Sequence, residues 1–266
     1  MEFKRAILTH GGAGSSSKDF DGPKSAALLG LDLLKTSNDS LEAVVSAVKF
    51  LENDPRFNAG LGSQLRADGK TIQLDASCMN SQELFGAVAC VEGYQNPIEI
   101  ANKIARHSPH LLLIGDGIPN FIKAHNMDLK PLPTLKTQPT SKSSCDTVGA
   151  VAFDGETFSA GLSSGGLKGA SIGRVGDVPL LGCGLFCGSM GAVACTGDGE
   201  DIALKVLAKT VYGWLENKMP PSEAATKALS LFAQSVDVGL IILTKNDFAA
   251  ISRNDMAWGY AKEENS

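Results

Sequence analysis

Residues 143–166 read SSCDTVGAVAFDGETFSAGLSSGG. Two strands are legible in this stretch. The run TVGAVAFD begins on Thr147, and TFSAGLSS follows after the Asp154-Gly155 turn signal. What precedes them has the opposite character. Residues 129–144, LKPLPTLKTQPTSKSS, carry three prolines and no apolar periodicity, which predicts an exposed linker over 129–146. The change falls between Asp146 and Thr147, so the strand opens on the threonine itself. β-Branching restricts χ1 and holds the Thr147 hydroxyl in one direction.

Outward from that junction, each half of the chain begins and ends in strand-like runs with helical spacing between. AILTH predicts a buried first strand ahead of the turn GGAGSSS. Helical spacing runs from Pro23 to about Lys35, and a second helix starts at Ser40, where Ala43 replaces the Glu of a full capping box. KTIQLDASCM and GAVACVEG predict strands, and Pro97 opens a helix to about His107. LLLIG and IPNFIKAH are short elements. Beyond the junction lies the Gly-rich loop GLKGASIGRVGD. A strand in GSMGAVACTGDG, helices over 200–215 and 222–234, and a hairpin in DVGLIILTKNDFAAISRN turning at residues 245–247 follow. The pattern predicts sheets covered by helices on their outer faces, fused into a single domain over 1–266.

The formal net charge is -5, with 43% hydrophobic and 20% charged residues, and no long basic run. That speaks against nucleic acid or an anionic membrane as partner. MEFKRAILTHGG lacks the apolar core of a secretory signal, and no stretch reaches the length of a membrane span, so the expected location is cytoplasmic. The cysteines Cys78, Cys90, Cys145, Cys183, Cys187 and Cys195 form no CxxC pair and fit reduced, mostly buried thiols. Cys183 and Cys187 have no histidine at ligand spacing.

Three chemistries compete for the polar motifs. Gly161-Leu162-Ser163-Ser164-Gly165 matches a serine-hydrolase elbow, but His10, His107, His110 and His125 all precede it, leaving no downstream base. HGGAGSSSK follows a strand, yet it has neither phosphate-loop spacing. His107 and His110 read as end-of-helix residues. The third chemistry is a threonine nucleophile. A hydroxyl needs a base, and a threonine at a chain terminus carries one in its α-amine, of pKa near ~7.7. No histidine is then required.

HGGAG at 10–14, DPRFNAGLGS at 54–63, LDAS at 74–77, DTVGAVAFD at 146–154, SSGG at 163–166, GRVGDVPLLGCG at 173–184 and CTGDGE at 195–200 occur in that order. Together they closely resemble the plant-type L-asparaginase / isoaspartyl peptidase family. These are N-terminal-nucleophile threonine hydrolases, related to glycosylasparaginase and threonine aspartase. The resemblance spans nearly the whole chain. It implies an α+β four-layer αββα sandwich, made as a precursor that cuts itself between Asp146 and Thr147. The products would be an α chain, 1–146, and a β chain, 147–266, assembled as a homodimer of cleaved protomers.

Carried onto matching positions, the resemblance makes Thr147 the nucleophile toward L-asparagine and β-aspartyl dipeptides. Thr196 and Gly197 match the oxyanion hole. Arg174 matches the residue that grips the substrate α-carboxylate, and Asp177 the partner of its α-ammonium. Asn58 matches an asparagine that orients the nucleophile's surroundings. A structural sodium is implied on the backbone oxygens of Leu51, Glu52, Asp54, Phe57, Ala59 and Leu61, with no cofactor for the chemistry. His10 is placed near the site or as a structural histidine.

Two positions depart from the pattern. Ser164 stands where most such asparaginases have a second threonine, and Asp146 where they have glycine. Both occur in the threonine aspartase, an endopeptidase, and Asp before Thr occurs in glycosylasparaginase. The short linker and the retained Asp177 favour a small β-aspartyl substrate. An uncleaved scaffold homologue is the non-enzyme alternative, opposed by the intact set of site residues.

Overall fold

A computed structural model describes residues 2–133 and 147–264. Asp146 and the linker from 134 onward therefore lie outside the described residues. The first half contains β1 (Phe3–Ala13), α1 (Asp21–Ser37), α2 (Ser40–Glu52), β2 (Leu74–Asn80), β3 (Phe85–Val91), α3 (Pro97–His107), β4 (Leu112–Ile114) and α4 (Gly117–Ala124). The second contains β5 (Thr147–Phe153), β6 (Phe158–Ser164), β7 (Leu185–Gly188), β8 (Gly191–Gly197), α5 (Gly199–Leu204), α6 (Leu207–Glu216), α7 (Pro221–Ser230), β9 (Val238–Leu243), β10 (Phe248–Ser252) and β11 (Met256–Glu264). None of the described helices is long and apolar enough to cross a membrane.

The described strands form two sheets, one ordered β11-β1-β5-β6-β2-β3-β4 and one ordered β10-β9-β8-β7. The period-2 alternation of strand side chains sorts the core into three layers. On β1, Ala6 and Leu8 face the second sheet while Ile7 faces α1 and α2; on β9, Ile241 and Leu243 face the first sheet while Leu240 and Ile242 face α6 and α7. The expected four-layer αββα sandwich is the observed one.

Local corrections have physical causes. The cap of α2 is Asp39, one residue before Ser40, and its carboxylate accepts from the amides of Leu41 and Glu42. The helix expected over 200–215 is broken, because Val206 takes a left-handed conformation at φ 45° between α5 and α6. The linker begins later than its prolines suggest. Residues 130–132 pair with 93–95 through Gln95 N to Lys130 O at 3.0 Å and Leu132 N to Gly93 O at 2.9 Å. Leu129 and Leu132 pack on the first core layer. Strands β7 and β11 were not expected; β11 pairs antiparallel with β1 and gives it a second neighbour.

β5 is central, hydrogen-bonded to β1 on one side and β6 on the other. That fixes the backbone at its first residue, Thr147, which pairs in register with Ser164.

Candidate active site

Strand parity gathers the site. On β5, Val151 and Phe153 face the space between the sheets, so Thr147, two and three pleats earlier, points the same way. The same count puts Ser164 of β6 beside Leu162, and Thr196 of β8 beside Ala194, on that inner face. It also puts Asp75 of β2 with Met79. The mouth of the sandwich is closed by the loop of residues 165–184 and the N-terminus of α5. One pocket there is lined by Thr147, Ser164, Asn58, Arg174, Asp177 and Gly197. Asp75, Asp198 and Glu200 also line it.

Each group is held by identifiable contacts. Asn58 ties two loops together: its Nδ2 donates to Gly166 O at 2.8 Å, and Gly165 N donates to Asn58 O at 2.9 Å. The Ser164 hydroxyl accepts from Gly166 N at 3.1 Å. Thr196 is fully buried and does not line the pocket itself; its Oγ accepts from Ala13 N at 3.0 Å, which leaves its own proton to be donated. Gly197 takes φ 135°, where a Cβ would stand 2.1 Å from Asp237 O, so only glycine ends β8 this way.

The charges divide by burial. Arg174 donates from Nε and Nη2 to the two carboxylate oxygens of Glu200, and these bonds hold its pKa above the usual range. Asp177 is buried, its Oδ2 has no hydrogen-bond partner, and desolvation raises its pKa to about 7. Asp75 is raised by the same cause, and its Oδ1 accepts from Cys90 N at 2.9 Å. His10 sits on β1 opposite Gly149, and a Cβ on that glycine would meet its Nε2 at 2.3 Å. Burial lowers the His10 pKa to about 3, with the Thr147 backbone pulling the other way. At neutral pH it is uncharged, and burial makes it a weak proton acceptor.

The expected sodium residues lie at the end of α2 and in the turn beyond it. Leu51, Phe57 and Ala59 are fully buried. The turn is so tight that a Cβ on Gly60 would stand 2.3 Å from Glu52 O. The Asp54 carboxylate is engaged by Arg56, at 2.6 Å from Nη2, and its backbone oxygen accepts from Phe57 N at 3.2 Å. Cys183 and Cys187 belong to no group of three or more ligating side chains among the described residues.

Asp75 and Glu200 were quoted within motifs but given no role by sequence reasoning. Asp75 had a signal: an acid inside the apolar run LDASCM must find a purpose or a partner. Glu200 had none, since an acid in the first turn of a helix is ordinary.

Two facing sheets covered by helices on their outer sides, with Thr147 of a central strand in a pocket beside Arg174, Asp75 and Asp177, fit a hydrolase of the N-terminal-nucleophile class. The family model described as Asparaginase matches the chain over residues 3–142 and 130–266, and the chain belongs to that family. The two matched stretches overlap inside the linker. A plant-type L-asparaginase from Pyrococcus furiosus is 35% identical, over 96% of this chain and 95% of that protein. An isoaspartyl peptidase/L-asparaginase from Xenopus laevis is 34% identical, over 98% and 93%. A plant-type L-asparaginase from Thermococcus kodakarensis is 34% identical, over 96% and 95%.

Proposed function

We propose that this chain hydrolyses L-asparagine to L-aspartate and ammonia, and cleaves β-aspartyl dipeptides, with Thr147 as nucleophile after self-cleavage. The observation that carries this is the meeting of Thr147, Arg174, Asp177 and Gly197 in one pocket, from three separate segments.

Maturation comes first. Thr147 Oγ adds to the Asp146 carbonyl, the peptide nitrogen leaves as an amine, and the chain is joined by an ester. Water opens the ester, returning the hydroxyl and leaving a carboxylate on Asp146. In turnover, the freed α-amine takes the Oγ proton as Oγ attacks the substrate's side-chain carbonyl. The amine then protonates the leaving ammonia or peptide nitrogen, and water hydrolyses the β-aspartyl ester. The Thr196 hydroxyl and Gly197 N–H serve the developing oxyanion, and such a donor is typically worth on the order of 3 kcal/mol. Arg174 takes the α-carboxylate and Asp177 the α-ammonium. Ser164, opposite Thr147 in register, and Asn58, which fixes the 165–166 turn, position the nucleophile.

A sodium ion on the carbonyls of Leu51, Glu52, Asp54, Phe57, Ala59 and Leu61 would stiffen the turn that carries Asn58. Hard oxygens in a tight turn suit such an ion. The assembly we infer is a homodimer of cleaved protomers in the cytoplasm, on the strength of the family resemblance; sedimentation and cell fractionation test it.

A clamp for a free α-amine and a free α-carboxylate fits β-linked dipeptides and not the interior of a protein. Rates on paired α- and β-aspartyl dipeptides test this. The β-linked compound should be hydrolysed and the α-linked one nearly untouched. Equal rates would favour an endopeptidase.

A further inference from the structure

The clamp arginine is already gripped by a carboxylate of its own chain. Nε of Arg174 donates to Oε1 of Glu200 at 2.8 Å, and Nη2 donates to Oε2 at 2.6 Å. The partners are unequally placed, the Glu200 side chain being 61% exposed and that of Arg174 19%. Both line the pocket of Thr147 and Asp177. The bridge also draws the Glu200 carboxyl below its ordinary range, so both groups stay charged at neutral pH.

A planar guanidinium presents two edges, each able to hold a carboxylate by two parallel bonds. Glu200 takes the Nε/Nη2 edge. Nη1 makes no hydrogen bond among the described residues, and it lies against Gly176, a pocket-lining glycine whose Cβ would stand 3.0 Å from it. The Nη1/Nη2 edge is the one left for an incoming anion. Gly199 is part of the same fit, since a Cβ there would stand 2.9 Å from Nη2 and 3.0 Å from Asp177 Oδ1.

We propose that Glu200 is a positioning residue for substrate recognition: it locks the plane of the Arg174 guanidinium from the solvent side and presents the free Nη1/Nη2 edge to the substrate α-carboxylate. This rests on Arg174 being the carboxylate clamp. Without the bridge, a long, flexible side chain must be ordered at each binding event, a cost paid in affinity and not in the chemical step.

The test uses full-length protein, allowed to mature, with kinetics on L-asparagine normalised to cleaved enzyme. Glu200→Gln keeps the side-chain size but loses the charge-assisted fork. Glu200→Gln and Glu200→Ala should each raise KM by about fivefold to tenfold, with kcat within about twofold. Their melting temperatures should match wild type. In the Arg174→Lys background, Glu200→Gln should add no more than about twofold to KM, because lysine has no plane to orient. An unchanged KM overturns the proposal. So does a lowered KM, which would make Glu200 a competitor for the clamp, and so does a fall in kcat together with melting temperature. If Arg174→Lys leaves KM unchanged, the clamp itself is wrong and this inference falls with it. If Arg174→Lys raises KM and Glu200→Gln does not, the clamp stands and Glu200 alone is misassigned.

Discussion

The substrate role proposed for Asp177 sets its function against its contribution to stability. Its carboxyl is buried with one oxygen unpartnered, and desolvation raises its pKa to about 7. Between the ordinary carboxylate range and that value, the folded chain binds more protons than the unfolded one. The associated stability is therefore full below the unfolded pKa and is lost as pH climbs through about 7. A substrate ammonium needs the ionised form. KM for L-asparagine should then rise as pH falls below 7, followed by initial rates across pH. Asp177→Asn should raise KM at every pH, yet melt above wild type near about pH 8, where only wild type buries the charge. Melting below wild type there would mean that the carboxylate supports the fold. Thr147 shows no such conflict. Thr147→Ala should stay full length and inactive, whereas Thr147→Ser should cleave and keep weak activity, since it retains the hydroxyl but frees χ1. Denaturing gels and an ammonia-release assay separate the two outcomes.

β8 illustrates why an element's end matters more than its middle. Its interior alternates between two cores, Ala192 and Ala194 toward one and Val193 and Cys195 toward the other. Its last residue, Gly197, is instead wedged against the backbone of Asp237 at a φ open to glycine. Gly197→Ala should displace the proposed oxyanion donor, cost on the order of 3 kcal/mol in the barrier, read as kcat, and lower the melting temperature as well, because its Cβ meets backbone. A variant with normal kcat would remove Gly197 from the chemistry. β8 was legible in the sequence because its apolar run ends in a turn signal. β5 and β6 were legible for the same reason, and Pro97 marked α3 because proline suits the first helical position. The break at Val206 was not legible. A β-branched residue in a left-handed conformation is what local preference opposes, and tertiary packing imposes it. The bridge from Glu200 to Arg174 spans 26 residues and two loops, so no spacing pattern could announce it. The Thr147, Arg174, Asp177 and Gly197 set was found through resemblance, since each residue alone has an ordinary structural explanation.

At the scale of the whole molecule, the two segments flanking the Asp146-Thr147 bond share one sheet. β5 and β6 of the second segment lie between β1 and β2 of the first, and β11 closes the sheet on the far side of β1. Cutting the bond should not release either piece. The cleaved chains should co-elute in native size-exclusion chromatography and separate only in denaturant. The most direct test of a threonine hydrolase that matures itself is the intact mass of purified protein after incubation without protease, with N-terminal sequencing and asparaginase activity measured on the same sample. Two masses corresponding to 1–146 and 147–266, a new N-terminal Thr147, and activity rising with the cleaved fraction are the expected result. A full-length chain with full activity would exclude the α-amine of Thr147 as the base, because that nitrogen would still be an amide.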